Sequence, residues 1–180
     1  MSTVAVTSGL GALPSRFRRE RLLIVGYGDV GQRMARNLLT GPGAQRLRVL
    51  ALTSQAERVG SLRAQGVTPL VGNLDHAATL RRLSGLATRV VHLAPPPGEG
   101  GGGAAWWRDP RTVALARALR LRSLPVSLVY ASTSGVYGDC AGALVAETRP
   151  VAPGTPRAQR RVNAERAVRH LGRAGVRTSI

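Results

Sequence analysis

Short apolar runs alternate along the chain with longer stretches in which apolar residues recur every three or four positions. Residues 22–25, 46–52, 67–71, 89–93 and 126–130 read as strands, each short enough to be buried on both faces. Between them, Val30, Met34, Leu38 and Leu39 give residues 29–39 a helical period, which Gly41-Pro42-Gly43 stops. Residues 55–65 read as a short helix, and Asp75 is expected to cap another that runs to about Gly85. Asp109-Pro110 opens the next, with the acid as cap and proline in the first turn, and its apolar face is Val113, Leu115, Ala116 and Leu119. Residues 175–180 read as the start of a sixth strand. Strands alternating with helices predict an α/β doubly wound parallel sheet, order 3-2-1-4-5 with the sixth strand beginning at the end.

The first strand runs directly into Gly26-Tyr27-Gly28-Asp29-Val30-Gly31 and then into a helix. In that context Gly26 permits the turn, Gly28 lets the backbone approach a diphosphate, and Gly31 lets helix and strand pack closely. Unpaired N–H groups at the helix start face the anion. This is the pattern of a Rossmann dinucleotide cradle. At the end of the second strand an acid would bind a ribose 2′-hydroxyl and repel a 2′-phosphate. Thr53 and Ser54 stand there instead, with Arg58 one turn on, which favours NADP over NAD, although Ser54 also suits a helix cap. Asn73 leaves the third strand where its amide could meet an adenine edge. The predicted cofactor-binding set is Gly26, Gly28, Asp29, Val30, Gly31, Thr53, Ser54, Arg58, Asn73, Leu74, Leu93 and Ala94.

Composition adjusts this picture in three ways. The net charge is +17, but all 26 basic residues are arginine and they are spread over nearly every element without interleaved aromatics. A compositional bias explains that better than a nucleic-acid stripe, the one candidate patch being Arg157 to Arg177. The single cysteine, Cys140, excludes an internal disulfide, and no Cys/His cluster has metal spacing, so no metal site is expected. Residues 1–19 contain no apolar core of signal-peptide length, and no stretch approaches a membrane span. They are read as a flexible extension, with an organellar transit segment as the rival, before a domain at 20–180. A cytoplasmic protein acting on a small molecule is expected, with a homodimer left open. The glycine-dense stretch 98–103 reads as an insertion beside the cleft, or else a lid.

Ala131-Ser132-Thr133-Ser134-Gly135-Val136-Tyr137-Gly138-Asp139, with Gly26 to Gly31, His92-Leu93-Ala94 and Glu147-Thr148-Arg149-Pro150, resembles the extended or atypical short-chain dehydrogenase/reductase family. This is the NAD(P)-dependent epimerase/dehydratase group, and the subgroup most similar is the atypical one typified by the bacterial protein YeeZ. The resemblance covers about 21–180. It implies a Ser or Thr holding the substrate oxygen, a place taken by Thr133, and a Tyr and Lys pair for proton transfer. Counting back from Glu165, that pair falls on Arg157 and Arg161. Guanidinium, with a pKa above about 12, cannot donate and recover a proton near neutrality. Arg161 could still bind a ribose or diphosphate, and Tyr137 is the nearest hydroxyl of the right type, though it equally suits the cleft wall, as Thr133 suits a loop cap. The catalytic set the resemblance implies is Thr133, Tyr137 and Arg161. His92 reads as a satisfied structural histidine, His76 as a helix start and His170 as part of an exposed turn.

The family continues into a smaller lobe that shapes the substrate pocket, so the chain is expected to lack most of that lobe. Two functions follow as expectations: an NAD(P)-dependent oxidoreductase or epimerase-like enzyme passing hydride to or from a carbonyl or alcohol, and a non-catalytic NAD(P)-binding sensor.

Overall fold

A computed structural model of the chain describes residues 20–98 and 105–180. The expected N-terminal extension and nearly all of the glycine-dense stretch lie outside those residues. Six strands form one parallel sheet: β1 (Glu20–Val25), β2 (Leu47–Thr53), β3 (Thr68–Val71), β4 (Arg89–His92), β5 (Ser127–Tyr130) and β6 (Arg177–Ser179). Their order is β3-β2-β1-β4-β5-β6, and every pairing is parallel. The helices are α1 (Asp29–Thr40), α2 (Val59–Ala64), α3 (Pro110–Leu119) and α4 (Pro156–Arg173). This is the doubly wound Rossmann architecture that the alternation of periods predicts.

The sheet sits between two apolar layers. Ile24, Val49, Ala51 and Val91 face Ala35 and Leu62 on one side; Leu23, Leu50, Val90 and Leu128 face Leu115, Leu119, Val168 and Leu171 on the other. Leu23 and Ile24 are both fully buried, each contributing about 1.5–3 kcal/mol of burial, which is why the central strand is apolar at successive positions rather than alternate ones. Asp109 caps α3 by accepting from the N–H groups of Arg111 (3.0 Å) and Thr112 (3.3 Å), with Pro110 in the first turn.

Local departures from the sequence reading have physical causes. Ala77–Leu83 is a 3₁₀ segment led by His76, not a helix capped by Asp75. The Asp75 carboxylate is instead taken by the Arg111 guanidinium in two 2.7 Å hydrogen bonds, a fork-to-carboxylate fit stronger than a cap. Residues 55–65 divide into a 3₁₀ turn, Ala56–Arg58, and the short α2. His170 does lie on an exposed turn, the last of α4, within 3.1 Å of Arg120. Among the described residues no helix is long and apolar enough to cross a membrane, and no three His, Cys, Asp or Glu side chains cluster as metal ligands.

Candidate functional site: a cleft at the strand ends

The C-terminal ends of β1, β2, β3 and β4 open on a cleft of about 450 Å³. Its floor is the turn after β1. Gly26 has φ +93°, and a side chain there would collide with the backbone of Leu93 and Ala94. That contact is fixed by the sheet, because the N–H groups of Leu93 (2.7 Å) and Ala94 (3.1 Å) both donate to the Val25 carbonyl. Gly28, the residue preceding α1, has φ −85° and nothing within 4 Å of where a Cβ would stand. Gly31 is buried in α1, its ideal Cβ position 3.0 Å from the Gly26 carbonyl oxygen and 3.2 Å from Ile24. The three glycines therefore divide three tasks: a turn only glycine can make, an open approach, and close helix packing.

Of the predicted cofactor set, Gly26, Gly28, Thr53, Ser54, Arg58, Asn73, Leu74, Leu93 and Ala94 line this cleft. Asp29, Val30 and Gly31 do not. The Asp29 carboxylate turns back to Arg33 (3.1 Å), Val30 points to solvent, and Gly31 is packed inside. Thr53 is buried, and its hydroxyl oxygen accepts from the Gln55 N–H (3.2 Å), so it shapes the loop. Ser54 is exposed. Arg58 donates to the Tyr27 carbonyl (3.2 Å), which brings its guanidinium across from the 3₁₀ turn Ala56–Arg58 to the glycine turn. Asn73 accepts from the Asp75 N–H through its side-chain oxygen (2.9 Å), leaving the amide nitrogen as its outward donor.

Sequence reasoning missed Arg111 and Asp75, which also line the cleft. Their ion pair clasps the loop after β3 to the start of α3, and Arg111 reaches the Pro95 carbonyl as well (3.4 Å). The hydrogen bonds from Arg111 hold the Asp75 carboxyl below the ordinary carboxylate range, against a smaller opposing effect of burial. The Asp-Pro-Arg-Thr string marks a helix start, but no local signal says that it faces residue 75.

Two of the three predicted catalytic residues lie elsewhere, around a hollow of about 300 Å³ beyond β5. Thr133 and Tyr137 both line it. The Thr133 hydroxyl accepts from the Gly135 N–H (3.0 Å) and is exposed, and Tyr137 is half-buried. Arg161 does not line it. Its guanidinium is buried behind Tyr130, donating to the Tyr130 hydroxyl (3.1 Å) and the Ala131 carbonyl (2.6 Å). Arg157 is exposed, so the two arginines do not form a pair on one buried face. Glu165, also buried, accepts from the Ser132 hydroxyl (2.6 Å) at the wall of the same hollow. Burial pushes the Tyr130 phenol up, and the neighbouring Arg161 charge opposes that rise.

Behind both hollows lies a relay of buried polar groups. The Thr112 hydroxyl donates to Asp109 (2.6 Å), so its oxygen must accept from His92 Nε2–H at 2.8 Å, which fixes the tautomer. Among the described residues His92 Nδ1 is then left without a hydrogen-bond partner. Burial, reinforced by Arg161, lowers the His92 pKa to about 4, so the ring is neutral near neutrality. His92 ends a buried strand as expected, but it is not the fully satisfied histidine the sequence suggested, because only Nε2 has a hydrogen-bond partner among the described residues.

A model of the TrkA-N domain matches residues 22–94, from β1 to the cleft edge at Ala94. No curated protein sequence matches the chain. Among solved structures, the dTDP-glucose 4,6-dehydratase DesIV of Streptomyces venezuelae, with NAD and TYD bound, superposes with a TM-score of 0.71 at 24% identity, over 88% of this chain and 53% of that one. A short-chain dehydrogenase/reductase superfamily protein of Agrobacterium tumefaciens with bound NAD gives 0.69 at 22% identity, over 88% and 47%. UDP-glucuronic acid 4-epimerase of Bacillus cereus, with UDP-glucuronic acid and NAD, gives 0.68 at 20% identity, over 89% and 55%. The likeness is one of fold. The chain spans about half the length of these structures.

Proposed function

We propose that the cleft holds a nicotinamide dinucleotide, NADP in preference to NAD, in a protein of the atypical short-chain dehydrogenase/reductase type. The observation that carries this is the pairing of Gly26, closed against Ala94, with Gly28, open above the first turn of α1. A backbone bared at that point suits a diphosphate, and the solved structures of like fold that contain NAD support the choice of ligand. Arg58 supplies the cation for a 2′-phosphate, and no acid stands at the end of β2 to repel one.

Bound nicotinamide would supply or accept a hydride; the rest falls to the hollow beyond β5. Thr133 holds the substrate oxygen there, and Tyr137 is the hydroxyl able to give or take its proton. Arg161 acts only by charge. A second reading, a non-catalytic NAD(P)-binding sensor, is favoured by the loss of the Tyr and Lys pair, whose places Arg157 and Arg161 take, in a chain that has no lysine.

Parallel titration with NADPH and NADH, read by thermal shift, tests the cofactor. NADPH at a hundred times its Kd should stabilise the chain by about 2.7 kcal/mol. Gly28→Glu, which places a side chain and a negative charge against the phosphates, should abolish that shift. No shift with either nucleotide, or a full shift in Gly28→Glu, would overturn the assignment. Binding without oxidation of NADPH across a carbonyl panel would select the sensor.

A further inference from the structure

A second groove, of about 410 Å³, runs between α3 and the 3₁₀ segment Ala77–Leu83. Its floor is apolar, with Leu74, Val113 and Leu121, and Leu121 is 59% exposed. Arg81, Arg108 and Arg117 line it too, and none of the three forms an ion pair with a described residue. The one acid on its wall, Asp75, is already neutralised by Arg111. Three guanidinium groups without an ionic partner among the described residues, set around an apolar floor, are a pattern with a ligand chemistry. Each guanidinium matches a carboxylate in a planar fork, while the floor removes a hydrocarbon body from water.

We propose that this groove is a second ligand site, distinct from the strand-end cleft, that takes a small amphipathic anion: a carboxylate on an apolar chain or ring. The volume lies at the small-molecule end of the range for ligand pockets, which favours such a molecule over a folded partner. A second copy of this chain, carrying the same charge of +17, is disfavoured by repulsion. The Asp75–Arg111 clasp separates the two spaces, because Leu74 and Asp75 line both while Arg111 lines only the cleft.

Calorimetric titration of the full chain with octanoate tests this, with octan-1-ol and acetate as controls for charge alone and chain alone removed. Saturable binding of one octanoate is expected, with octan-1-ol and acetate each at least tenfold weaker. Arg117→Ala, at an exposed position, should weaken octanoate at least tenfold, and Val113→Trp, which fills the groove, should do the same. Octanoate affinity unchanged in Arg117→Ala, or octan-1-ol binding as tightly as octanoate, would overturn the proposal. So would displacement of octanoate by NADPH, which would put the anion in the cleft. The arginine and alcohol arms need no nucleotide, so they decide the matter even if the cleft binds none.

Discussion

Replacing Gly26 with alanine asks one methyl group to occupy space held by backbone. The ideal Cβ falls 2.8 Å from Ala94 Cα and 2.8 Å from the Leu93 carbonyl carbon, and closer still to the Ala94 nitrogen. None of these atoms can step aside cheaply, because the N–H groups of Leu93 and Ala94 anchor that segment to Val25. The φ of +93° adds a cost of about 1–2 kcal/mol for any L-side chain. Overpacking against a fixed wall adds about 1–3 kcal/mol. Together these come to about 2–5 kcal/mol, out of a total stability of about 5–15 kcal/mol for a domain. In a chain of 180 residues each kcal/mol shifts the melting temperature by about 2–4 °C, so the variant should melt roughly 4–20 °C lower. Gly28→Ala is the matched control, since its methyl group meets nothing within 4 Å and its φ of −85° is ordinary. It should leave stability within about 0.5 kcal/mol while weakening nucleotide binding. Urea unfolding of both variants, with NADPH titration alongside, reads the two effects separately. If Gly26→Ala melted within 2 °C of the parent, the claim that the turn and the β4 edge are locked together would be wrong, whatever the chain binds.

The His92 ring makes stability depend on pH. Its folded pKa, about 4, lies below the ordinary 6.5, so the unfolded chain binds the extra proton first. The contribution is complete above pH 6.5 and is lost as pH falls towards 4, by about 3 kcal/mol in all. Urea midpoints of the parent should therefore fall towards those of His92→Gln over that window, and a constant gap between the two would count against it. Asp109, fully buried, accepts from two backbone N–H groups and the Thr112 hydroxyl. Asp109→Ala removes a cap and strands that hydroxyl, and should cost about 3 kcal/mol in urea unfolding; a loss under 1 kcal/mol would show that the relay contributes little.

The parts of the fold legible in sequence were those set by short-range periodicity and by residues with special backbone roles. The alternation of runs placed all six strands to within a few residues, and the Gly26-to-Gly31 string announced the turn, because at Gly26 any side chain would meet backbone. Asp109-Pro110 marked its helix for a similar reason. What stayed hidden depended on contacts distant in the chain. Asp75 reads locally as a cap, and only its meeting with Arg111, 36 residues away, makes it half of a clasp. Arg161 reads as one side of a pair with Arg157 at helical spacing. The structure turns it inward because Tyr130 and Ala131 offer oxygen acceptors on the buried side, while Arg157 remains in water. The groove beside α3 left no local trace, since Arg81 meets Arg108 and Arg117 only through the packing of the 3₁₀ segment beside α3.

The buried Arg161 charge links the two hollows more closely than their separate linings suggest. Among the described residues it has no carboxylate within ion-pair distance; a phenol and a peptide carbonyl hold it, and its Nε is unpartnered. Neutral acceptors satisfy its hydrogens but not its charge, and at Tyr130 the buried carboxylates of Asp109 and Glu165 act against it. His92 registers that field, because Arg161 adds to burial in keeping the ring uncharged. A guanidinium in this place cannot pass a proton, yet its charge stabilises an anion formed or bound nearby, and does so more strongly for being shielded from water. Hydride chemistry at Thr133 and passive nucleotide sensing therefore make the same demand on Arg161, a fixed positive potential. They differ in whether a substrate oxygen reaches Tyr137 at the wall of that hollow.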